Sequence, residues 1–195
     1  DYAFYLDKDI KIYGGFAGTE TALSQRNSTS NPVILSGDIN AGGTATNDCY
    51  HVFITDGLSS AAVLDGVTIT GGKADGSSAI TYSGLTIDQD KGGGLYVFTS
   101  IGGYTSPTLK DVIINYNSAR LGGGMFNEKS SASLEAVNIH NNTSTDQGGG
   151  MYNYDSPITM TGVIIENNSC VNGGGGMNNQ SSGNITITET SIMGN

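Results

Sequence analysis

Gly92-Gly93-Gly94-Leu95-Tyr96, Gly122-Gly123-Gly124-Met125-Phe126, Gly148-Gly149-Gly150-Met151-Tyr152 and Gly174-Gly175-Gly176-Met177-Asn178 are one short phrase written four times. A second block follows each triplet, of the form x-Leu-x-x-Val-x-Ile-x-x-Asn. Its copies begin at Leu109, Leu134, Met160 and Ile187 and close at Asn117, Asn142, Asn168 and Asn195. A period of about 26 residues falls where repeats build solenoids. Toward the N-terminus, Leu64, Val67 and Ile69 match the second block, and Gly72 stands where later copies carry Asn.

No segment keeps an apolar spacing of three and four over ten residues, so helices are excluded as the main element. Short runs of three to five residues, cut by Gly, Asn and Ser, read as strands. Strands repeating at this period stack as an all-β, single-stranded parallel β-helix of about six to seven coils, equivalent positions ~4.8 Å apart. Four columns then face the core. They are Leu95, Met125, Met151 and Met177; Leu64, Leu109, Leu134, Met160 and Ile187; Val67, Val112, Val137 and Val163; and Ile69, Ile114, Ile139, Ile165 and Ile192. Thr190 is the polar break in the valine column.

Two polar columns accompany them. Asn117, Asn142, Asn168 and Asn195 form one, and Asn127, Asn153 and Asn179 the other. Stacked amides bond to one another and to turn backbone, so both read as structural ladders. Asn142-Thr143-Ser144 matches a glycosylation acceptor, but an inward Asn carries no sugar. The triplets supply positive φ and close coil-to-coil approach. They are not phosphate loops, since no helix follows.

The whole chain, 1–195, reads as one domain. Residues 1–72 are irregular N-terminal coils with loops at 17–31 and 40–49, 73–91 is an insertion loop, and 92–195 are regular repeats. Glycine is 30 of 195 residues and charged residues are 13%. The glycines do not fall every third position, which excludes collagen. A net charge of −10 repels phosphates and argues against nucleic acid as a partner. There is no apolar run near 18 residues, so this segment does not span a membrane as a helix. Cys49 and Cys170 fall several coils apart, beyond disulfide reach, and read as free thiols.

The blocks Ile12-Tyr13-Gly14-Gly15-Phe16, Ile34-Leu35-Ser36-Gly37-Asp38-Ile39, Tyr50-His51-Val52-Phe53 and Leu64-Asp65-Gly66-Val67-Thr68-Ile69-Thr70-Gly71-Gly72, with the triplet repeats, resemble right-handed parallel β-helix repeats of large bacterial secreted and surface proteins. Their fold is that of the pectin-lyase superfamily, and polymorphic outer-membrane autotransporter passengers carry a related glycine triplet. The resemblance covers nearly the whole chain. It implies export, a place at the bacterial cell surface within a longer polypeptide, and an adhesin-like role. It implies no particular catalytic residues.

The rival class is a polysaccharide lyase or hydrolase, or a glycan-binding module, on the same fold. A hydrolase wants paired carboxylates on neighbouring coils, and a lyase wants a basic Arg or Lys beside acidic calcium ligands. One outward column runs Asp65, Lys110, Glu135, Thr161, Thr188; the next runs Gly66, Asp111, Ala136, Gly162, Glu189. Neither sets two acids on adjacent coils. Arg26 and Arg120 read as loop-borne. His51 and His140 lie on different strands, without a triad partner. No catalytic residue is therefore assigned.

Calcium is the one candidate cofactor. Its ligands would be Asp38, Asn40 and Asp48 in one loop, or Asp75, Asp88 and Asp90 around the insertion; solvated acids are the alternative reading of both sets. Tyr96, Phe126 and Tyr152 follow the core residue by one position and form an outward aromatic ladder. Two readings stand for it: rings stacked on each other beneath a loop or domain, or a surface for glycans or other cell-surface proteins.

Overall fold

The computed structural model describes residues 3–39, 48–82 and 84–195. Among the described residues the chain is all-β apart from a 3₁₀ turn at Leu23–Gln25, and it visits the same sheets in the same order about six times. Sheet I collects Phe4–Leu6, Phe53–Asp56, Leu95–Phe98, Met125–Glu128, Met151–Tyr154 and Met177–Gln180. Sheet II collects Lys11–Tyr13, Val63–Asp65, Thr108–Lys110, Ser133–Glu135, Thr159–Thr161 and Thr186–Thr188. Sheet III collects Val33–Ser36, Val67–Thr70, Ile113–Asn115, Asn138–His140, Ile164–Glu166 and Ser191–Met193. A shorter sheet IV holds Lys73–Ala74, Ser118–Leu121, Thr143–Gln147 and Ser169–Cys170. Neighbouring strands in all four are parallel, each pairing with the equivalent strand one coil away.

Strands stay short because a left-handed residue turns each corner. Gly66, Asp111, Ala136, Gly162 and Glu189 turn sheet II into sheet III, and Gly71, Tyr116, Asn141, Asn167 and Gly194 leave sheet III, all with φ between 48° and 74°. A single residue in this region bends the chain without breaking the register of the flanking strands, and glycine takes it without the Cβ cost. The second outward column of the sequence reading is thus a corner column, where backbone conformation sets the tolerance.

The core lies inside the coils, and its columns pair as their spacing predicts. Leu95 stacks on Met125, Met125 on Met151 and Met151 on Met177. Leu109, Leu134 and Met160 are buried in the next column, and Ile69, Ile114, Ile139 and Ile165 in the third. Each fully buried aliphatic side chain contributes about 1.5–3 kcal/mol. Beside Thr190, the Val163 N–H donates to the hydroxyl at 3.3 Å, so the break in the valine column finds a use.

The two asparagine columns are ladders of different kinds, buried except at their last rungs, Asn195 and Asn179. Asn117, Asn142 and Asn168 are inside, and each side-chain carbonyl accepts both the backbone N–H and the amide of the Asn one coil before it or, at the first rung, the Gly72 N–H. Each amide also donates to a carbonyl of the preceding coil: Asn117 to Ile69, Asn142 to Ile114, Asn168 to Ile139 and Asn195 to Ile165. These residues satisfy the corner that follows sheet III, where strand bonding lapses. Asn127, Asn153 and Asn179 bond only side chain to side chain, at 2.8 and 2.7 Å, among apolar neighbours. Val97 takes the next place in that column, and Asn127 Oδ1 has no partner among the described residues.

The insertion differs from its reading as a loop. Lys73–Ala74 joins sheet IV, and Ala79–Tyr82 pairs antiparallel with Leu85–Asp88 as a hairpin turned at Gly84. Cys49 is buried and Cys170 half-buried, both unbridged. Among the described residues, no helix is long and apolar enough to cross a membrane.

Candidate functional site

Side chains on the outer face of sheet I alternate with those of the core. Tyr96, Phe126 and Tyr152 fall there in register, one per coil. The Tyr96 and Phe126 rings meet edge-on at 5.4 Å, and Phe126 and Tyr152 stack at 5.2 Å with 6° between their planes. The ladder is real, but it is not a surface: the three residues are 2%, 2% and 3% exposed. They join Ile54, Ile87 and Phe98 in a second apolar cluster outside the coils, with Ile80, Leu85 and Leu121 packed against it. Hairpin residues thus close one end of the face, and sheet IV contributes Leu121. The reading of these rings as a glycan surface is corrected, because no ring face is open to a sugar.

Polar rims seal the cluster. The Lys91 ammonium lies 5.0 Å from the centre of the Phe126 ring and pairs with Asp88 at 2.7 Å. Tyr96 donates its hydroxyl to Glu128 at 3.1 Å, and Tyr152 donates to Gln180. Burial first, and then the Glu128 charge, push the Tyr96 phenol far above its ordinary range, so it is a fixed donor and not an acid.

His51 sits at the edge of this cluster. Register places it in the column of Gly93, because Phe53 pairs with Leu95 and the Val52 N–H donates to Gly93. Its Nδ1 lies 3.0 Å from the Gly92 carbonyl, its ring 5.7 Å from Tyr96, and its Nε2 has no side-chain or backbone partner within hydrogen-bond distance among the described residues. Burial pushes its pKa below 6.5, so the ring is neutral at physiological pH. His140, half-buried two coils on, touches the side-chain amides of Asn141 and Asn115 at 3.0 and 3.4 Å. The structure does not bring the two histidines together.

The acidic candidates are committed to cations. Asp75 pairs with Lys73 at 3.2 Å, Asp88 with Lys91, and Asp90 with Arg120 at 2.6 Å. Arg120 also reaches Asp146 at 3.2 Å. It stands on a sheet IV strand and not in a loop, which corrects the expectation for it. These pairings oppose the reading of Asp75, Asp88 and Asp90 as calcium ligands, since each carboxylate already has a positive partner. In the other proposed set, Asp38 and Asp48 border a stretch that includes Asn40, which lies outside the described residues. Among the described residues, no group of three His, Cys, Asp or Glu side chains is placed to hold a metal.

Arg26 and Asp65, 39 residues apart, meet at 2.5 Å. Asp65 is only 4% exposed, and the Arg26 guanidinium also lies 5.0 Å from the Tyr13 ring centre. The pair pins the segment before Pro32 across sheet II; Arg26 is loop-borne as expected, just past the 3₁₀ turn, and its guanidinium is held by Asp65. Asp65 Oδ1 has no partner among the described residues, while Lys110 and Glu135 follow Asp65 in register on the next two coils. Repeat spacing gives no signal for Arg26, since it lies outside the repeats.

An apolar recess of about 430 Å³ opens between the first coil and the hairpin, lined by residues that include Phe4, Tyr5, Ile39, Ile54, Tyr82 and Ile87. Asn142 is fully buried, so its acceptor pattern is closed to modification. No protein-family model, curated protein or solved structure matches this chain.

Proposed function

We propose that the chain is a right-handed parallel β-helix of the pectin-lyase-like type, part of a longer secreted protein on a bacterial cell surface. Its work there is non-catalytic: a stiff, adhesin-like scaffold that holds contact surfaces away from its anchor. Parallel strands joined by crossovers are right-handed in about 98% of cases, which supplies the hand. The observation that carries the reading is the unbroken amide ladder from Gly72 to Asn195. From the second coil on it ties each coil to the next inside the core, and the five strand spacings of the six-stranded sheets make a rod of roughly 25 Å. Sequence repetition is thus spent on stacking, and variation is left to the connections on the outside.

A carbohydrate-active alternative would centre on Asp65, Arg26, Lys110 and Glu135, the mixed charges gathered on the outer face of sheet II. One assay separates the two readings. The protein is incubated with acidic and neutral polysaccharides, and unsaturated ends are followed in the ultraviolet and reducing ends by colour. The scaffold reading expects no product. A rate proportional to protein, lost in Lys110→Ala, would replace it with the enzyme.

A further inference from the structure

We propose that the connection between Phe98 and Thr108, together with Tyr154 and Asp155, is a binding platform for a neutral glycan. It rests on the contact-surface reading above, and it names residues other than the buried ladder. The link from sheet I to sheet II takes nine residues here, 99–107, against four in each of the next two coils, 129–132 and 155–158.

The extra residues are held firmly at both ends. Ser100 donates its N–H and its hydroxyl to the two Asp56 carboxylate oxygens, at 2.7 and 2.6 Å. Thr105 is fully buried; its hydroxyl accepts from the Leu58 N–H at 2.9 Å, and its N–H donates to the Lys129 carbonyl at 3.0 Å. Between these anchors the tip presents Ile101, 66% exposed, and Tyr104, 50% exposed. A Cβ on Gly102 or Gly103 would meet nothing within 4 Å, so the tip is open on that side.

Tyr104 is fixed as well as exposed. Its hydroxyl donates to Asp155 Oδ1 at 3.0 Å, two coils further on. That bond raises the phenol's pKa, so the hydroxyl keeps its proton. Tyr154, immediately before Asp155, is 38% exposed, and Gln180 lies in register beside it. A tethered loop that holds a ring half in water has already met most of the ordering cost of binding. Tyrosine supplies rigid contact area at low entropy cost, and nearby acceptors add direction. A pyranose offers the matching chemistry, an apolar C–H face for a ring and hydroxyls for Asp155 and Gln180. Charge selects among sugars: Asp155 stands in the platform with exposed Lys129 one coil before it, Asp56 is buried beneath the loop and Glu128 is paired with Lys91, so it is the field of a chain of net charge −10 that disfavours uronic and sialic acids.

The test is a glycan array followed by titration calorimetry on the whole chain, with neutral and uronic-acid oligosaccharides. Neutral oligosaccharides should bind, about tenfold more weakly in Tyr104→Ala, the scale of 1.4 kcal/mol. Tyr104→Phe keeps the ring and loses the tether, and should fall between Tyr104→Ala and the parent. Both side chains are exposed, so an unchanged melting temperature shows that each variant folds. Binding confined to acidic glycans, no binding at millimolar sugar, or equal binding by parent and Tyr104→Ala would overturn the proposal. So would self-association that Tyr104→Ala abolishes, because the patch would then serve a second copy. A non-catalytic scaffold without this platform would still pass the degradation assay, which keeps the two failures apart.

Discussion

The regular coils after Gly92 and the coil entered at Tyr50-His51-Val52 solve the same corner in opposite ways. In the regular coils a Cβ on Gly94, Gly124, Gly150 or Gly176 would lie 2.7, 2.9, 2.9 or 2.8 Å from the amide nitrogen of Asn117, Asn142, Asn168 or Asn195. The third glycine of each triplet is therefore absent side chain that makes room for the ladder. In the earlier coil that glycine becomes Val52, and the asparagine becomes Gly72. A Cβ on Gly72 would come within 3.0 Å of Val52 Cγ2 and closer still to the Gly93 carbonyl. The corner holds one side chain, from one strand or the other. Close packing makes the exchange mutual.

The sharpest way to break this comparison is Asn142→Ala. It removes the acceptor of the Asn117 N–H and amide and the donor to the Ile114 and His140 carbonyls. At about 1–3 kcal/mol for each buried group left without a partner, the loss should reach on the order of 3–5 kcal/mol in urea unfolding. Asn127→Val is the contrast. It copies Val97 in the same column and removes the unpartnered Asn127 Oδ1, but it also takes the donor from buried Asn153 Oδ1; one unpartnered acceptor replaces another, so the change should stay within about 1 kcal/mol.

Next comes the exchange itself. Gly124→Ala drives a methyl against the Asn142 amide and the Gly150 carbonyl, and overpacking of this kind costs about 1–3 kcal/mol. Val52→Ala trims a side chain from the equivalent place and should cost about 1 kcal/mol, close to a conservative core truncation. Equal losses in the two would show that the corner does not discriminate between them.

A smaller effect follows from His51, which occupies the column of the middle glycine. Burial depresses its folded pKa below 6.5. The unfolded chain then binds the proton first, and stability present above pH 6.5 falls as pH drops toward the folded value. Urea midpoints should decline from pH 7 to pH 5 in the parent and decline less in His51→Gln. An identical decline would assign the pH response to carboxylates.

Ala136→Gly should have the least effect. Ala136 holds φ at 52°, in the corner column where Gly66 and Gly162 also stand. Relief of the left-handed cost, about 1–2 kcal/mol, is offset by roughly 0.5–1 of added chain entropy. The melting temperature should rise slightly or hold.

These contrasts also mark how far the repeat could be read. The core columns and both ladders followed from spacing up to the last coil, where Ile187 and Ile192 are 49% and 45% exposed, because a stacked coil repeats its inward demands at each covered level. The outer face did not. Tyr96, Phe126 and Tyr152 read as outward, which they are, yet Ile80, Leu85 and Ile87 of the hairpin and Leu121 of sheet IV close over that face. A signal was present in the alternation on either side of Gly84, a hairpin pattern within a stretch read as a loop. For Arg26 with Asp65, or Tyr104 with Asp155, there was none, since neither spacing nor residue type links positions 39 and 51 apart.

The sequence by itself determined the period, the inward columns and the corners that need asparagine or glycine, because stacking turns each of these into a repeated local choice. Tertiary structure alone decided which outward residues meet water. That depends on where non-repeating segments fold back, and such contacts form between stretches that share no register.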